Sequence, residues 1–538
     1  MCRKYGRHTM SRQFFKHLRD DEFLLRWKER SKRSALHLIF GRTTLVAVLL
    51  ALQIFLLVGA FGYLEEYMAY FYGGFTVISG LVVFHLVNQR GDPTVKLTWI
   101  VLVMAVPVVG VALYFFVQTD LGHRMIHRRL EKLHRNSAVY VLRQESLIRK
   151  LEKEEPEFAS LAKYSTSLGY PPYEGCEAEY FPLGDDMFPR LLEELEKARS
   201  FIFLEFFIVD EGLMWGKVLD VLQRKVRQGV EVRLLYDGTC ALFNLPYHYP
   251  REMRELGIQC KMFSPIRPIV STSYNNRDHR KIVVIDGHTA FTGGVNLADE
   301  YINVRFRFGH WKDTAVLIRG AAVRSFTHMF LEMWNVDQRQ EDFQRYLNVS
   351  CPPLPDSGYV MPYADSPLDD ERVGELVYMD MLNRAHRYVH IMTPYLILDH
   401  DMITALTFAA KRGVEVVLIL PHVPDKKYAF ALAKTHYREL LNAGVQIWEY
   451  TPGFVHAKVF VSDDKKAVVG TINLDYRSLS LHFECAAYLC GVPAVADIER
   501  DVQNTLKRCQ RINLAALKQT PFLTRLAGWL LKLLAPLM

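Results

Sequence analysis

The sequence predicts an α/β protein made of two duplicated halves standing behind an N-terminal apolar helical region. Three observations carry this reading. Three long apolar runs follow one another between residues 43 and 118. From about residue 180 onward, amphipathic helical patterns alternate with short apolar strands. Two stretches of that part also repeat each other, with matching motifs 177 residues apart and matching helix-ending glycines 184 apart.

Taken in order, residues 1–42 form a basic tail with 12 Lys/Arg against four acids. The apolar runs come next: Thr43 to Leu64, roughly Tyr67 to Val87 and roughly Leu97 to Val117. Each is close to the ~20 residues that a helix needs to cross hydrocarbon. Glu65 and Glu66 separate the first two, predicting a tight hairpin with an acidic tip. The third holds Pro107 and Gly110, which can break a helix and permit a re-entrant path. A second basic cluster (Arg124, Arg128, Arg129, Lys132, Arg135) follows. Positive charge on both flanks favours two crossings plus one irregular segment, with the remainder on the cytoplasmic side. The region 43–118 is thus read as transmembrane and 119–180 as linker helices. The apolar stretch is too long, and starts too late, for a cleaved signal peptide.

The first repeat, 181–345, contains LLEELEKARSFIFLEFFIV (191–209), then a helix and Gly229-Val230-Glu231-Val232. The second, 371–510, contains LVYMDMLNRAHRYVHIMTPYLI (376–397), then a helix and Gly413-Val414-Glu415-Val416. In each, an amphipathic helix leads into a buried strand, and a second helix ends at glycine before another strand. Between them, 346–370 is rich in Pro, Ser, Asp and Gly and reads as a connector. The end, 511–538, predicts an amphipathic helix suited either to a headgroup layer or to packing on the protein. The eight cysteines show no CxxC pair or metal-ligand spacing and read as ordinary buried thiols.

The chemistry lies in HRKIVVIDGHTAFTGGVN (279–296) and HAKVFVSDDKKAVVGTIN (456–473). Both carry His-x-Lys, an Asp at +7, a Gly at +14 and an Asn at +17. The residues are His279, Lys281, Asp286, Gly293 and Asn296, then His456, Lys458, Asp463, Gly470 and Asn473. One HxK alone means nothing; five coincident positions occurring twice in a repeat are specific. Residues i and i+2 of a strand share a face, so each His and Lys should enter one site while Arg280 and Ala457 point away. Two imidazoles can then divide phosphoryl transfer between a nucleophile and an acid/base. The lysines would neutralise the phosphoryl oxygens, work that other enzymes give to a metal, so no metal and no cofactor is expected. Asn296 and Asn473 are candidate phosphate donors. Asp286 and Asp463 are candidate catalytic residues that could equally cap strand ends. A reactive imidazole needs an acid on its other nitrogen. Asp313 and Glu484, each downstream of its own motif, are the candidates.

At these residues the chain resembles the phospholipase D superfamily, whose hallmark is a doubled HxKxxxxD motif, and within it the bacterial cardiolipin synthases. The likeness is carried by 275–300 and 454–484, and by FIFLEFFI (201–208), GVEVRLLYDG (229–238) and TPYLILD (393–399). It extends over nearly everything from residue 43 on. The resemblance implies two phospholipase D-like α/β halves behind a membrane region, in a multi-pass protein of the bacterial plasma membrane. It also implies phosphatidyl transfer between two phosphatidylglycerol molecules, giving cardiolipin and glycerol through a phosphohistidine. By motif position it makes His279 the nucleophile and His456 the general acid/base. It further implies Lys281, Lys458, Asn296 and Asn473 as phosphate ligands, and Asp313 and Glu484 as the groups orienting the histidines. Two departures stand out: His482 where the family usually has Asn before Phe-Glu, and Pro362-Tyr363-Ala364-Asp365 where a Ser-Gly-Pro-Asp-like stretch is common. The alternatives are a hydrolytic phospholipase D, a phosphatidylserine synthase, or an inactive lipid-binding scaffold. The intact motifs disfavour the scaffold. With phosphatidylglycerol and anionic membrane lipids as expected partners, a nuclease is disfavoured because no dense basic–aromatic strip is present.

Overall fold

The computed structural model describes residues 68–535 apart from 90–91, 119–120, 143, 266–275, 339–341, 356–357 and 370. The basic tail and the first apolar run lie outside the described residues. The second run forms the helix Met68–Asn88. The third is broken, as Pro107 predicted, into Pro93–Ala105 and Pro107–Gln118. Gly110 lets these two helices meet, because a Cβ there would lie 2.7 Å from Leu102 O and Val103 Cα. Arms of 13 and 12 residues reach only about 20 Å at 1.5 Å per residue, short of a bilayer core. Among the described residues no helix is long and apolar enough to cross a membrane.

Each duplicated half builds a mixed sheet by the same route. In the first, helix Gly184–Lys197 leads to strand Phe201–Phe206 and helix Leu213–Arg227 to strand Glu231–Asp237. In the second, Val373–Arg384 leads to Tyr388–Met392 and His400–Lys411 to Glu415–Pro421. Within each half the two strands pair in parallel. Gly229 (φ 87°) and Gly413 (φ 97°) turn the chain out of the helix in a conformation costly for other residues. The motif strands Lys281–Ile285 and Val459–Ser462 then add antiparallel to Phe201–Phe206 and Tyr388–Met392. All of these motif-strand residues are buried. Apolar side chains from both halves merge into one core, with Ile282 and Val284 in the same cluster as Val459 and Val461.

The connector needs correction. Within 346–370, Tyr359–Asp365 is a fully buried strand of the second sheet, antiparallel to His482–Cys490. Its other side is paired only at Tyr359 and Val360, so Pro362 sits where an absent N–H costs nothing. Likewise Glu177–Phe181, which begins in the expected linker 119–180 and ends at the start of the first repeat, is a strand of the first sheet. Among the described cysteines all are unpaired, with Cys351 and Cys509 only half-buried.

Candidate active site

Each HxK pair lies where an extended segment enters its motif strand, and there the halves exchange chain. Arg277–Asp278 pairs with His482–Phe483 of the second half, and Gly453–Val455 pairs with His310–Lys312 of the first. The backbone N–H of His279 donates to Phe483 O at 2.9 Å, and that of His456 to Lys312 O at 2.7 Å. The residue after each of these acceptors is the carboxylate. The orienting pairs are therefore crossed: His279 Nδ1 lies 2.9 Å from Glu484, and His456 Nδ1 2.6 Å from Asp313 Oδ2. The sequence named both acids without assigning either to a histidine; in the structure each half completes the other's histidine.

The two acids are held differently. Position +15 from each histidine is Gly294 in the first half and Thr471 in the second. A Cβ at 294 would overlap the Asp313 carboxylate, 2.7 Å from Cγ. At 471 the Thr hydroxyl instead donates to Glu484, joined by Ser478 Oγ at 2.5 Å. Asp313 takes a backbone N–H from Thr314 at 2.8 Å.

The histidines, lysines and acids form one electrostatic unit. Burial is the main force holding His279 well below the usual imidazole range, and Lys281, His482, Lys458 and His456 add to it. Burial and then Lys458 bring His456 down to about 4, against the pull of Asp313. Burial brings Lys281 to about 7, opposed by Glu484, and Lys458 to about 8, opposed by Asp313. Burial pushes Glu484 up, opposed by Lys281 and the Ser478 and Thr471 hydroxyls. Both imidazoles are thus neutral, each with Nδ1 against an acid. Lys281 Nζ donates to His279 O at 2.6 Å, and Lys458 Nζ lies 2.8 and 3.1 Å from the two ring nitrogens of His456. The four side chains act on one another across the halves, with Lys281, Lys458 and His456 all bearing on His279.

Other expected site residues fall elsewhere. Asp286 and Asp463 sit at the far ends of the motif strands, both with positive φ. Asp286 accepts from the N–H groups of Arg199, Ser200 and Phe201 at 2.7–2.9 Å. Asp463 accepts from those of His386, Arg387 and Tyr388 at 2.9–3.0 Å. Both close a turn and leave the pocket to His and Lys. Asn296 is buried beside the site, but its Oδ1 accepts from Ile208 N and its Nδ2 donates to Tyr301 OH. Its amide positions Tyr301, whose ring lies 5.5 Å from His456. Asn473 donates its backbone N–H to Ser478 Oγ, and its Oδ1 has no protein partner.

Sequence reasoning missed the aromatic walls. Phe207 stands 4.9 Å from His279, and Trp311 5.5 Å from His456. Trp311 and His482 each precede an orienting acid by two residues, a correspondence that aligning the repeats on Asp313 and Glu484 would have exposed. Donor atoms of His279, His482 and Glu484 lie within 4.8 Å of one another, near enough to embrace a cation. Lys281 faces both His482 and Glu484, which makes the spot repulsive to one. The cluster Glu375, Asp399 and Asp401 has Arg372 against two of its members.

A family model described as cardiolipin synthase, phospholipase D-like domain, matches residues 191–334 and 378–506, just over half the chain. The chain belongs to this cardiolipin synthase family. A phospholipase D-nuclease N-terminal model matches 77–118. A Streptococcus mutans protein described as uncharacterized is 49% identical over 85% of this chain and 99% of its own length. A cardiolipin synthase from Alkalihalophilus pseudofirmus is 33% identical over 86% of this chain and 92% of its own. The phosphatidylserine synthase of Haemophilus influenzae shares the fold, with a TM-score of 0.55 at 15% identity over 72% of this chain and 98% of that one. As a member of this family the chain is a phosphatidyltransferase of the phospholipase D type.

Proposed function

We propose that the chain is a cardiolipin synthase that joins two phosphatidylglycerol molecules, with His279 as nucleophile and His456 as general acid and base. In the first step His279 Nε2 attacks phosphorus. A P–N bond forms, the P–O bond to glycerol breaks, and the alkoxide takes a proton from His456. In the second step a hydroxyl of another phosphatidylglycerol loses its proton to His456 and attacks the same phosphorus, breaking P–N and freeing His279. The asymmetry of the acids supports this division. Asp313 raises the proton affinity of His456, whereas the leading influences on His279 all lower it. An arriving phosphate anion raises His456 further and loads it as acid. Lys281 and Lys458 balance the phosphoryl oxygens, and Asp313 and Glu484 fix the rings.

The observation that carries the proposal is the crossed pair of His–carboxylate contacts, which favours two imidazoles sharing one phosphorus. Apolar surface supports a bilayer-facing site. Val77, Leu81, Phe84 and Met104 are exposed on the N-terminal helices, and Leu523, Trp529 and Leu530 on the C-terminal helix Phe522–Leu534. That last helix seats its Gly528 against Ala431 O and Thr435, which leaves the apolar residues and Arg525 turned outward for a headgroup layer. This surface supports a site of action at the bacterial plasma membrane. Purified protein given labelled phosphatidylglycerol should yield cardiolipin and glycerol. Phosphatidic acid as the sole lipid product, or full turnover by His279→Ala, would overturn the assignment.

A further inference from the structure

His482 is buried at 8% exposure, and neither ring nitrogen has a hydrogen-bond partner. A buried, unsatisfied imidazole is costly, and native structures keep few such groups without a ligand to meet them. Its place is specific. It opens the strand His482–Cys490 and pairs with Arg277, two residues before His279. Its ring centroid lies 5.3 Å from that of His279, with Phe207 against both rings, and Nδ1 is 3.6 Å from Glu484 Oε1. The corresponding position of the first half is Trp311, which flanks His456 in the same way at 5.5 Å. The duplication thus places a ring at this repeat position beside each catalytic histidine, and only the one beside His279 is an imidazole. Arg277, Lys281, Lys426 and Arg477 all face His482, so the charge around it invites an anion. Burial and these cations keep the ring neutral, with one N–H to donate.

We propose that His482 is a further catalytic residue, whose ring N–H donates a hydrogen bond to a non-bridging oxygen of the phosphoryl group as it is transferred to His279. This rests on the phosphoryl-transfer reading of the site and does not depend on which alcohol accepts the group. The contact adds a third side-chain donor to those of Lys281 and Lys458. As a neutral donor it leaves the P–N bond free to break in the second step. Trp311 fills the corresponding place beside His456 with a larger ring.

The test compares His482→Asn, a smaller side chain that keeps an amide donor, with His482→Phe, a ring without one. Glycerol release from phosphatidylglycerol vesicles and inhibition by orthovanadate are measured on the full chain, with melting temperature as the fold control. His482→Phe should lose at least tenfold in kcat and weaken vanadate inhibition about tenfold, the effect of one hydrogen bond to a charged group. His482→Asn should recover most of both. Equal activity and equal vanadate sensitivity in the two variants would overturn the role of His482 while leaving the cardiolipin synthase reading intact. A wild-type protein that neither releases glycerol nor responds to vanadate would overturn that reading itself.

Discussion

Replacing Gly294 with alanine adds a single methyl group, and the structure says where it lands. The position does not have positive φ, so the backbone accepts alanine without strain. The new Cβ would stand 2.7 Å from Asp313 Cγ and 2.8 Å from Oδ2, with Oδ1 nearer still. Carbon atoms rest at roughly 3.5–4 Å, so the carboxylate must retreat by about 1 Å. That displacement breaks its 2.6 Å contact with His456 Nδ1 and releases the ring proposed to deliver and remove the proton. A misplacement of this size costs about 100-fold, equivalent to about 2.7 kcal/mol in the barrier. Gly294→Ala should therefore lower kcat for glycerol release about 100-fold while far-ultraviolet circular dichroism stays native. Thr471→Val, which removes one hydroxyl from Glu484 without a clash, should cost about tenfold by the same assay. A folded Gly294→Ala protein within threefold of wild-type kcat would refute the claim that Asp313 serves His456.

Asp286→Ala and Asp463→Ala each remove an acceptor of three backbone N–H groups and should destabilise by about 2–4 kcal/mol. Calorimetry should show lowered melting temperatures with kcat per folded molecule nearly retained; a kcat loss at unchanged stability would restore a catalytic role. Lys281 and Lys458 give up protons between about pH 7 and 8, so kcat/KM should fall as pH rises through that window. A bound phosphate raises their proton affinity, so the limb in kcat should lie at higher pH, and a pH–rate profile flat across the window would contradict this. His456 is held from 6.5 down to about 4, so below 6.5 the unfolded chain binds a proton that the folded one refuses. Stability should accordingly fall as pH drops from 6.5 to 4, with a shallower slope in His456→Gln by chemical denaturation. Trp529 should be quenched by bromine-labelled anionic lipid, and that component should vanish in Trp529→Phe; no quenching would remove the C-terminal helix from the membrane surface.

Much of this was legible in the chain. Period and punctuation gave the helix–strand order of both halves, because buried strands and C-terminal glycines leave local marks. The doubled HxK marked the two His–Lys pairs that the structure brings into electrostatic reach, because i and i+2 share a face whatever the tertiary context. The crossed pairing of Asp313 and Glu484 was not readable. Each acid follows the residue whose carbonyl accepts from the other half's histidine, and a repeat looks the same whether it completes its own site or its partner's. Repetition alone could not choose between the two roles left open for Asp286 and Asp463; the structure shows both closing the same kind of turn. Asn296 met the motif yet spends its amide on Ile208 and Tyr301. The strand Tyr359–Asp365 was hidden by its proline, which an edge strand tolerates.

The central claim is that His279 and His456 act on one phosphorus atom. The direct measurement is an experimental structure of the full chain with orthovanadate or tungstate. A single anion should lie between the two Nε2 atoms, bonded to or within hydrogen-bond reach of both, with Lys281 and Lys458 on its oxygens. Two anions in separate pockets, or one that reaches only one imidazole, would contradict the account.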